Sequence, residues 1–414
     1  TVERVKNGLK YTIIPGILFE EMGFTYIGPV DGHNISKLKE SMQKADKVKG
    51  PSIIHVNTIK GKGYKPAEKN PANYHGVGAF DIETGKSKST KDNLTYSQVF
   101  GKTMVKLGKK DKDIVGITAA MPKGTGLEIF EKEFPDRSFD VGIAEQHAVT
   151  LSAGLARGGK KPVVALYSTF LQRAYDQVIH DLCIQNLPVS IAIDRAGIVG
   201  NDGETHQGAF DYSYLRAIPN MTVMAPMDEN ELQHMLYTSV NYSYPTAVRY
   251  PRGEGLGVEL DKDLNKIEIG KGEVLKEGKD LLLLAVGSMV KPAKNAAEIL
   301  EKEGISVSVI NARFIKPLDR ELITEYVKKN NKVITIEEQA LKGGFGSAVL
   351  ELLNDKNIKN YELKRMGIPD NFVLHGDQDE MRAEYNLDQR GIVEFSLKFL
   401  NKRPEVDLWP KKNA

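Results

Sequence analysis

The feature that most constrains the fold is a repeated alternation of short apolar segments with segments of helical periodicity. Residues 162–167 and 188–194 have the length and apolar character of buried strands, and residues 170–184 between them have the spacing of a helix. Strands that are joined through helices pair in parallel. The pattern predicts an α/β fold with tandem, doubly wound, mostly parallel sheets.

The alternation occurs in three blocks, which predict three domains. The first covers residues 1–92, the second residues 93–257 and the third residues 258–414. Residues 258–268 are polar and irregular, as expected of a linker. Three domains agree with a length of 414 residues, since about 150 residues per domain is typical.

The first block contains one strand-helix-strand unit. We predict a strand at 24–30, a helix at 35–48 that Gly50 and Pro51 terminate, and a second, buried strand at 52–58. A polar stretch of some thirty residues follows this unit. Because idle loops rarely exceed about 12–15 residues, the stretch is interpreted as functional or as a linker.

Composition excludes several classes of protein. The chain has 57 Lys and Arg residues against 55 Asp and Glu residues, a net charge of +2 that gives no general attraction to nucleic acid or to an anionic membrane. Its one cysteine, Cys183, allows no disulfide within the chain. The longest uncharged apolar run, 281–290, is much shorter than the ~18 residues of a membrane span. We therefore expect a soluble, cytoplasmic protein.

Polar and aromatic residues recur just past the predicted strand ends, where open α/β sheets bind ligands. These residues are Lys60, Tyr64, Glu145, Tyr167, Phe170, Arg173, Arg195, Asp202, His206 and Arg252. Taken one by one, most have ordinary alternatives: Glu145 could simply stabilise a helix N-terminus, and Phe170 could belong to the core. Asp202 and His206, four residues apart in a glycine-rich loop, could transfer protons. Together the set indicates an anion-binding cleft.

Long motifs resemble one family. Residues 140–150, 167–177 and 194–211 are similar to the 1-deoxy-D-xylulose-5-phosphate synthase family of the transketolase superfamily, as are the shorter motifs at 28–33, 250–253 and 375–376. The resemblance implies thiamine diphosphate and Mg²⁺ as cofactors and pyruvate and D-glyceraldehyde 3-phosphate as substrates. The implied products are 1-deoxy-D-xylulose 5-phosphate and CO₂. It further implies a homodimer, a role as the first step of the methylerythritol phosphate route to isoprenoids, a contribution to thiamine biosynthesis, and a cytoplasmic or plastid location.

The resemblance also assigns roles to individual residues. Glu145 resembles the carboxylate that binds the pyrimidine ring nitrogen of the cofactor, and Phe170 the aromatic ring that stacks on that pyrimidine. The implied catalytic residues are Glu145, His206, Asp202 and His75. The implied cofactor-binding residues are Glu145, Phe170, Tyr167, Tyr64 and Lys60, and the implied substrate-binding residues are Arg173, Arg252 and Arg195.

One family motif is absent from this sequence. Family members carry a Gly-Asp-Gly motif followed by an Asn, which bind Mg²⁺ and the diphosphate, and no such motif occurs in the 414 residues. Residues 1–92 are therefore interpreted as the tail of the diphosphate-binding domain plus a linker. We expect no metal ligands in this chain and no activity of the chain alone. The alternatives are another transketolase-superfamily enzyme and a non-catalytic subunit that kept the fold.

Overall fold

The computed structural model describes residues 16–88 and 93–403 of the chain. The chain divides into two compact units, Thr1–Lys91 and Asp92–Ala414. Within the described ranges, no helix has both the length and the apolar character that a membrane crossing requires.

The first unit is built around a parallel pair of strands, β1 (Thr25–Asp31) and β2 (Ser52–Asn57), joined by helix α2 (Ile35–Asp46). This confirms the predicted strand-helix-strand unit. The predicted burial of the second strand is wrong, because Val56 is 39% exposed. A two-stranded sheet with one connecting helix leaves much of its surface uncovered. Two short helices complete the described part of this unit: α1 (Ile17–Glu21) and α3 (Lys65–Lys69).

The second unit contains two sheets. The larger has seven strands in the order β12-β7-β8-β6-β5-β3-β4, all parallel except β12. Its strands are β3 (Ile114–Thr118), β4 (Ser138–Asp140), β5 (Lys161–Tyr167), β6 (Ser190–Ala196), β7 (Thr222–Met224), β8 (Thr246–Pro251) and β12 (Phe314–Lys316). The helices that accompany it are α4 (Tyr96–Lys110), α5 (Glu128–Glu133), α6 (Glu145–Arg157), α7 (Ser168–Leu171), α8 (Tyr175–Gln177), α9 (Asp211–Leu215) and α10 (Glu229–Val240).

The predicted helix at 170–184 is interrupted. Helix α7 runs into a 3₁₀ turn at Gln172–Ala174, then α8, then a π-helical segment at Val178–Cys183. Ala174 leaves the α conformation with φ −106° and ψ 19°. Because no Gly or Pro lies between 170 and 184, the sequence carries no local signal for these changes of helical pitch.

The smaller sheet has the order β14-β13-β10-β11-β9, with only β9 antiparallel. Its strands are β9 (Glu273–Lys276), β10 (Leu281–Ala285), β11 (Val307–Asn311), β13 (Lys332–Ala340) and β14 (Glu362–Ile368). Its helices are α11 (Val290–Lys302), α12 (Arg320–Asn330), α13 (Phe345–Asp355), α14 (Gln378–Glu384) and α15 (Gln389–Phe399). The predicted α/β class with mostly parallel sheets is confirmed.

The two sheets share one hydrophobic core. Residues of the larger sheet, such as Ile193, and of the smaller sheet, such as Leu282 and Ile310, belong to a single buried cluster. Strand β12 lies beyond the predicted boundary at 257 and 258, yet it pairs with β7 of the larger sheet. The segment 258–268 contains no helix or strand, as predicted. The domain boundaries themselves stay a prediction.

Candidate active site

The carboxyl ends of strands β5, β6 and β8 form the scaffold of the site. These strands are parallel neighbours, so the loops that follow them leave the sheet at the same edge. Phe170 and Arg173 follow β5, Asp202 and His206 follow β6, and Arg252 follows β8. The topology therefore brings together residues that are far apart in sequence, as the pattern of polar residues predicted.

A column of stacked side chains lies at this edge. The rings of Tyr167 and Phe170 are 5.4 Å apart and nearly parallel, at 10°. The guanidinium carbon of Arg195 lies 4.2 Å from the centroid of the Tyr167 ring. The His206 ring meets Phe170 edge-on, with centroids 5.4 Å apart. Four predicted site residues are thus in contact, held by aromatic and cation–π attraction.

Glu145 forms an ion pair that the sequence did not predict. It is the first residue of α6 and is 2% exposed, and its Oε1 lies 2.5 Å from Nη1 of Arg173. The Arg173 guanidinium also lies over the Phe170 ring, 4.9 Å from its centroid. The helix N-terminus favours a negative charge at this position. The residue expected to bind the cofactor and one expected to bind the substrate are therefore direct partners in this structure.

A second ion pair joins the loop after β6 to the end of β8. Arg252 Nε lies 3.2 Å from Asp202 Oδ2, with both side chains about one-third exposed, and Arg252 Nη1 donates to the Val199 carbonyl at 3.3 Å. His206 Nδ1 lies 2.9 Å from the Thr205 hydroxyl. Asp202 thus pairs with Arg252, while His206 keeps its second ring nitrogen for other contacts.

Arg195 is held from several sides. Its Nη1 donates to the Gly124 carbonyl at 2.7 Å and to the Ser97 hydroxyl at 3.1 Å, and it lies 3.1 Å from Asp194 Oδ1. Burial, the largest single influence, would lower the pKa of this guanidinium, but the combined effect of Asp194, Tyr167 and Asp202 exceeds it and the pKa is raised. Burial raises the pKa of Asp194 itself. Arg195 supports the Tyr167 ring, and its role as a substrate ligand stays a prediction.

A buried polar network beneath the column was missed at the sequence level. Asp211 accepts a hydrogen bond from the Ser168 hydroxyl at 2.7 Å and pairs with Arg249 Nε at 3.1 Å. Arg249 Nη2 donates to the carbonyls of Gly208, at 3.2 Å, and Glu338, at 2.7 Å. The available signal was the arginine in the apolar strand β8, because a buried charge needs a partner.

The first unit holds the remaining predicted residues. Lys60 Nζ lies 2.8 Å from His75 Nδ1, so these two are brought together. The Tyr64 hydroxyl donates to the Ile82 carbonyl at 2.8 Å, and its ring packs against Tyr74 with centroids 5.6 Å apart. Burial, followed by the neighbouring Tyr74, raises the pKa of Tyr64. Across the described residues of the whole chain, no group of three or more His, Cys, Asp or Glu side chains could hold a metal ion.

Family models match most of the chain. Residues 92–256 match the model described as "Transketolase, pyrimidine binding domain", residues 270–392 match "Transketolase, C-terminal domain", and residues 1–58 match "1-deoxy-D-xylulose-5-phosphate synthase".

Solved structures with the same fold include the "Split gene transketolase, inactive beta4 tetramer". It is 34% identical with a TM-score of 0.66, over 75% of this chain and 100% of that one. The transketolase of Campylobacter jejuni matches with a TM-score of 0.63 over 92% of this chain and 68% of that one, and at 19% identity it is evidence for the fold only.

Curated relatives are closer in sequence. The 1-deoxy-D-xylulose-5-phosphate synthase of Halothermothrix orenii is 64% identical over 100% of this chain and 65% of its own length. That of Heliobacterium modesticaldum is 56% identical over 95% of this chain and 60% of its own length. The chain spans a little under two thirds of the length of these relatives.

Fold and site together define a chain of the transketolase superfamily. Within that superfamily, the chain belongs to the 1-deoxy-D-xylulose-5-phosphate synthase family.

Proposed function

We propose that this chain carries the pyrimidine-side and substrate-side part of the active site of a 1-deoxy-D-xylulose-5-phosphate synthase. That enzyme condenses pyruvate with D-glyceraldehyde 3-phosphate to 1-deoxy-D-xylulose 5-phosphate, with release of CO₂, as the first step of isoprenoid synthesis by the methylerythritol phosphate route. The observation that carries the proposal is the buried Glu145 carboxylate at the start of α6, whose ion-pair partner Arg173 lies over the Phe170 ring.

The residues present fit the pyrimidine end of thiamine diphosphate. Glu145 offers a carboxylate shielded from water, and its partner Arg173 is 48% exposed. The Phe170 ring offers an apolar face. Arg195 Nε is buried without a hydrogen-bond partner beside this column, as expected where a polar ligand or water completes the site. Mg²⁺ has no matching ligand group within the described ranges.

When bound, thiamine diphosphate supplies a nucleophilic carbon and an electron sink for decarboxylation. Glu145 would hold the pyrimidine through a ring nitrogen, and Phe170 would orient it by stacking, with Tyr167 supporting the Phe170 ring. In the first unit, Lys60 and Tyr64 are proposed for the diphosphate and His75 for catalysis.

The second substrate would bind at the loop after β6. Asp202 and His206 are proposed to exchange protons with the aldehyde oxygen and hydroxyl of glyceraldehyde 3-phosphate. Arg173, Arg252 and Arg195 are proposed to bind its phosphate, since guanidinium groups match phosphate oxygens in charge and geometry. Arg173 and Arg252 each pair with a carboxylate in this structure, so phosphate binding would exchange one anion for another.

Assembly and location are further parts of the proposal. We propose a homodimer in the cytoplasm: the 34% identical solved structure is titled a tetramer, which supports self-assembly, and the curated relatives are bacterial enzymes. A second candidate function, an inactive or non-catalytic chain, is favoured by one observation: the structure that this chain covers completely is titled an inactive tetramer.

The test is an activity assay with and without the rest of the family's length. The 414-residue chain is assayed with thiamine diphosphate, Mg²⁺ and both substrates, alone and after co-expression with the N-terminal part of the Halothermothrix orenii relative that precedes the matched region. We expect no turnover alone, and formation of 1-deoxy-D-xylulose 5-phosphate and CO₂ in the co-expressed sample. A co-purified complex that consumes a ketose donor but not pyruvate would identify a transketolase instead. A complex without either activity would favour the non-catalytic chain.

A further inference from the structure

Gln378 joins three segments of the second unit at the edge of the candidate site. It is the first residue of helix α14, which follows the smaller sheet. Its side-chain Nε2 donates to the Ile198 carbonyl at 2.6 Å and reaches the Arg252 carbonyl at 3.5 Å. One amide nitrogen, with its two N–H groups, thus bridges the segment after β6 and the segment after β8.

The two bridged segments carry the Asp202–Arg252 ion pair. Ile198 lies near the start of a loop that the paired backbones of Gly197 and Gly208 close, with N–H to carbonyl distances of 2.8 Å. Asp202 is within this loop, and Arg252 is itself the residue whose carbonyl Gln378 approaches. The amide therefore holds the backbone positions from which the two charged side chains reach each other.

A second glutamine, Gln207, joins the same loop to the same segment. Gln207 Oε1 accepts from the Val199 amide at 2.8 Å, and Gln207 Nε2 donates to the Leu374 carbonyl at 2.9 Å. The backbones also approach closely, because a Cβ on Gly200, whose φ is +69°, would lie 2.8 Å from the Gln378 nitrogen. Neutral amide-to-carbonyl hydrogen bonds thus join the loop after β6 to the segment 374–378 at more than one point.

We propose that Gln378 is a positioning residue that sets Arg252 and Asp202 at the spacing required by a phosphorylated acceptor. The proposal rests on the proposed function and adds the segment at 374–378 to the determinants of acceptor specificity. A neutral amide suits the task, because it donates to two carbonyls without competing for Asp202 or Arg252. A carboxylate of the same shape has no donor and would repel both carbonyl oxygens.

The kinetic test compares phosphorylated and unphosphorylated acceptors in the active complex. In Gln378→Met we expect KM for D-glyceraldehyde 3-phosphate to rise about 3- to 10-fold, the range that one neutral hydrogen bond supplies. KM for pyruvate should keep its wild-type value, and kcat/KM for unphosphorylated glyceraldehyde should fall much less than for the phosphorylated acceptor, because it has no phosphate to reach Arg252. Glu380→Gln, an exposed change on the same helix, is the matched control and should behave as wild type.

A purely structural role would give a different result. Equal losses of kcat/KM for both acceptors, or an unchanged KM for the phosphorylated one, would contradict the proposal. If Gln378→Met does not fold, Gln378→Glu keeps the volume, replaces the donor with a negatively charged acceptor, and is expected to raise KM for the phosphorylated acceptor by at least as much.

A readout independent of activity separates this proposal from the proposed function. Amide hydrogen exchange in the peptide covering 198–203 should speed up at least about 5-fold in Gln378→Met, while exchange in strands β5 and β6 stays unchanged. A wild-type complex without turnover would end the proposed function, and the exchange measurement would still decide whether Gln378 holds the loop. Unchanged exchange in 198–203 would overturn the positioning role.

Discussion

The two units place their ionisable residues in very different surroundings. In the second unit, Asp211 and Arg249 are almost completely buried, and each is bonded to several segments. In the first unit, Lys60 and His75 are exposed and are joined by a single contact. A buried network fixes geometry but is sensitive to the loss of any member, whereas an exposed pair contributes little to stability.

In the second unit, the residues that support the site are different from the residues proposed to contact ligands. Phe170 and Asp202, for example, are proposed to contact ligands. They lie on segments that the buried Asp211–Arg249 network and the hydrogen bonds of Gln207 and Gln378 hold in place. Functional sites require such supporting contacts to keep their geometry. The first unit carries Lys60 and His75 in the segment that follows a short two-stranded sheet whose strands are partly exposed. Substitutions should therefore have unequal effects on stability in the two units.

The largest effect is expected from Asp211→Ala. Arg249 would remain buried without its carboxylate partner. Removal of one partner of a buried ion pair typically lowers the free energy of unfolding by about 3–5 kcal/mol, and we expect a loss of that size here. Denaturant unfolding measures the change. Asp370→Ala is the control, because Asp370 also pairs with a basic residue, Lys342, but is 77% exposed. A loss below about 1 kcal/mol for Asp211→Ala would show that the network is not a support.

The next effect is a pH dependence from Glu337. Burial raises the pKa of this carboxyl from 4.5 to about 7, although it accepts hydrogen bonds from the amides of Phe345 and Gly346. A carboxyl whose pKa is higher in the folded than in the unfolded protein stabilises the fold fully at pH values below its unfolded-state pKa. This stabilisation is lost as the pH rises through the folded-state pKa.

Between pH 5 and pH 8, the free energy of unfolding of the wild type should therefore fall by roughly 2–3 kcal/mol relative to Glu337→Gln. The exposed control Glu298→Gln should keep the wild-type pH dependence. A constant difference between the wild type and Glu337→Gln across this range would contradict the assignment.

A smaller effect is expected from Arg252→Ala in the active complex. Loss of one guanidinium from a phosphate site should raise KM for D-glyceraldehyde 3-phosphate about 10- to 100-fold, since charge-assisted hydrogen bonds contribute more than neutral ones. KM for pyruvate should stay near its wild-type value, and steady-state kinetics with each substrate varied in turn measures both. Equal increases in the two KM values would remove Arg252 from the phosphate site.

The smallest effect on stability is expected from Lys60→Met in the first unit. An exposed side chain with one contact should change the melting temperature by less than about 2 °C. The same substitution should weaken thiamine diphosphate binding in the active complex, as calorimetric titration would measure. A large fall in the melting temperature of Lys60→Met would contradict the expected difference in stability effects between the two units.

The sequence predicts more of the fold than of the contacts within the site. Apolar periodicity identified the parallel strands, and the rule that ligands bind at strand ends selected Phe170 and Asp202, because both signals are local. Periodicity did not reveal the break after Leu171 or the pairing of β12 with β7. The first leaves no Gly or Pro signal, and the second joins segments about ninety residues apart.

Ion pairs were the least predictable feature. Arg173 was selected as a phosphate ligand, and the structure shows it bonded to Glu145, 28 residues earlier in the chain. Which carboxylate meets which guanidinium depends on how neighbouring loops leave the sheet, and spacing in sequence does not encode that. The roles of the site residues stay predictions that only kinetics can test.

The central claim is that Glu145 binds the cofactor, and its substitution in the active complex is the most direct test. Glu145→Gln keeps the size of the side chain and removes its charge. We predict a loss of turnover of about 10²- to 10⁴-fold, the usual contribution of a group that controls proton position, with an unchanged melting temperature. Glu128→Gln, an acid of helix α5 that pairs with Lys132, is the control and should keep full turnover. Turnover of Glu145→Gln within about 3-fold of the wild type would contradict the account.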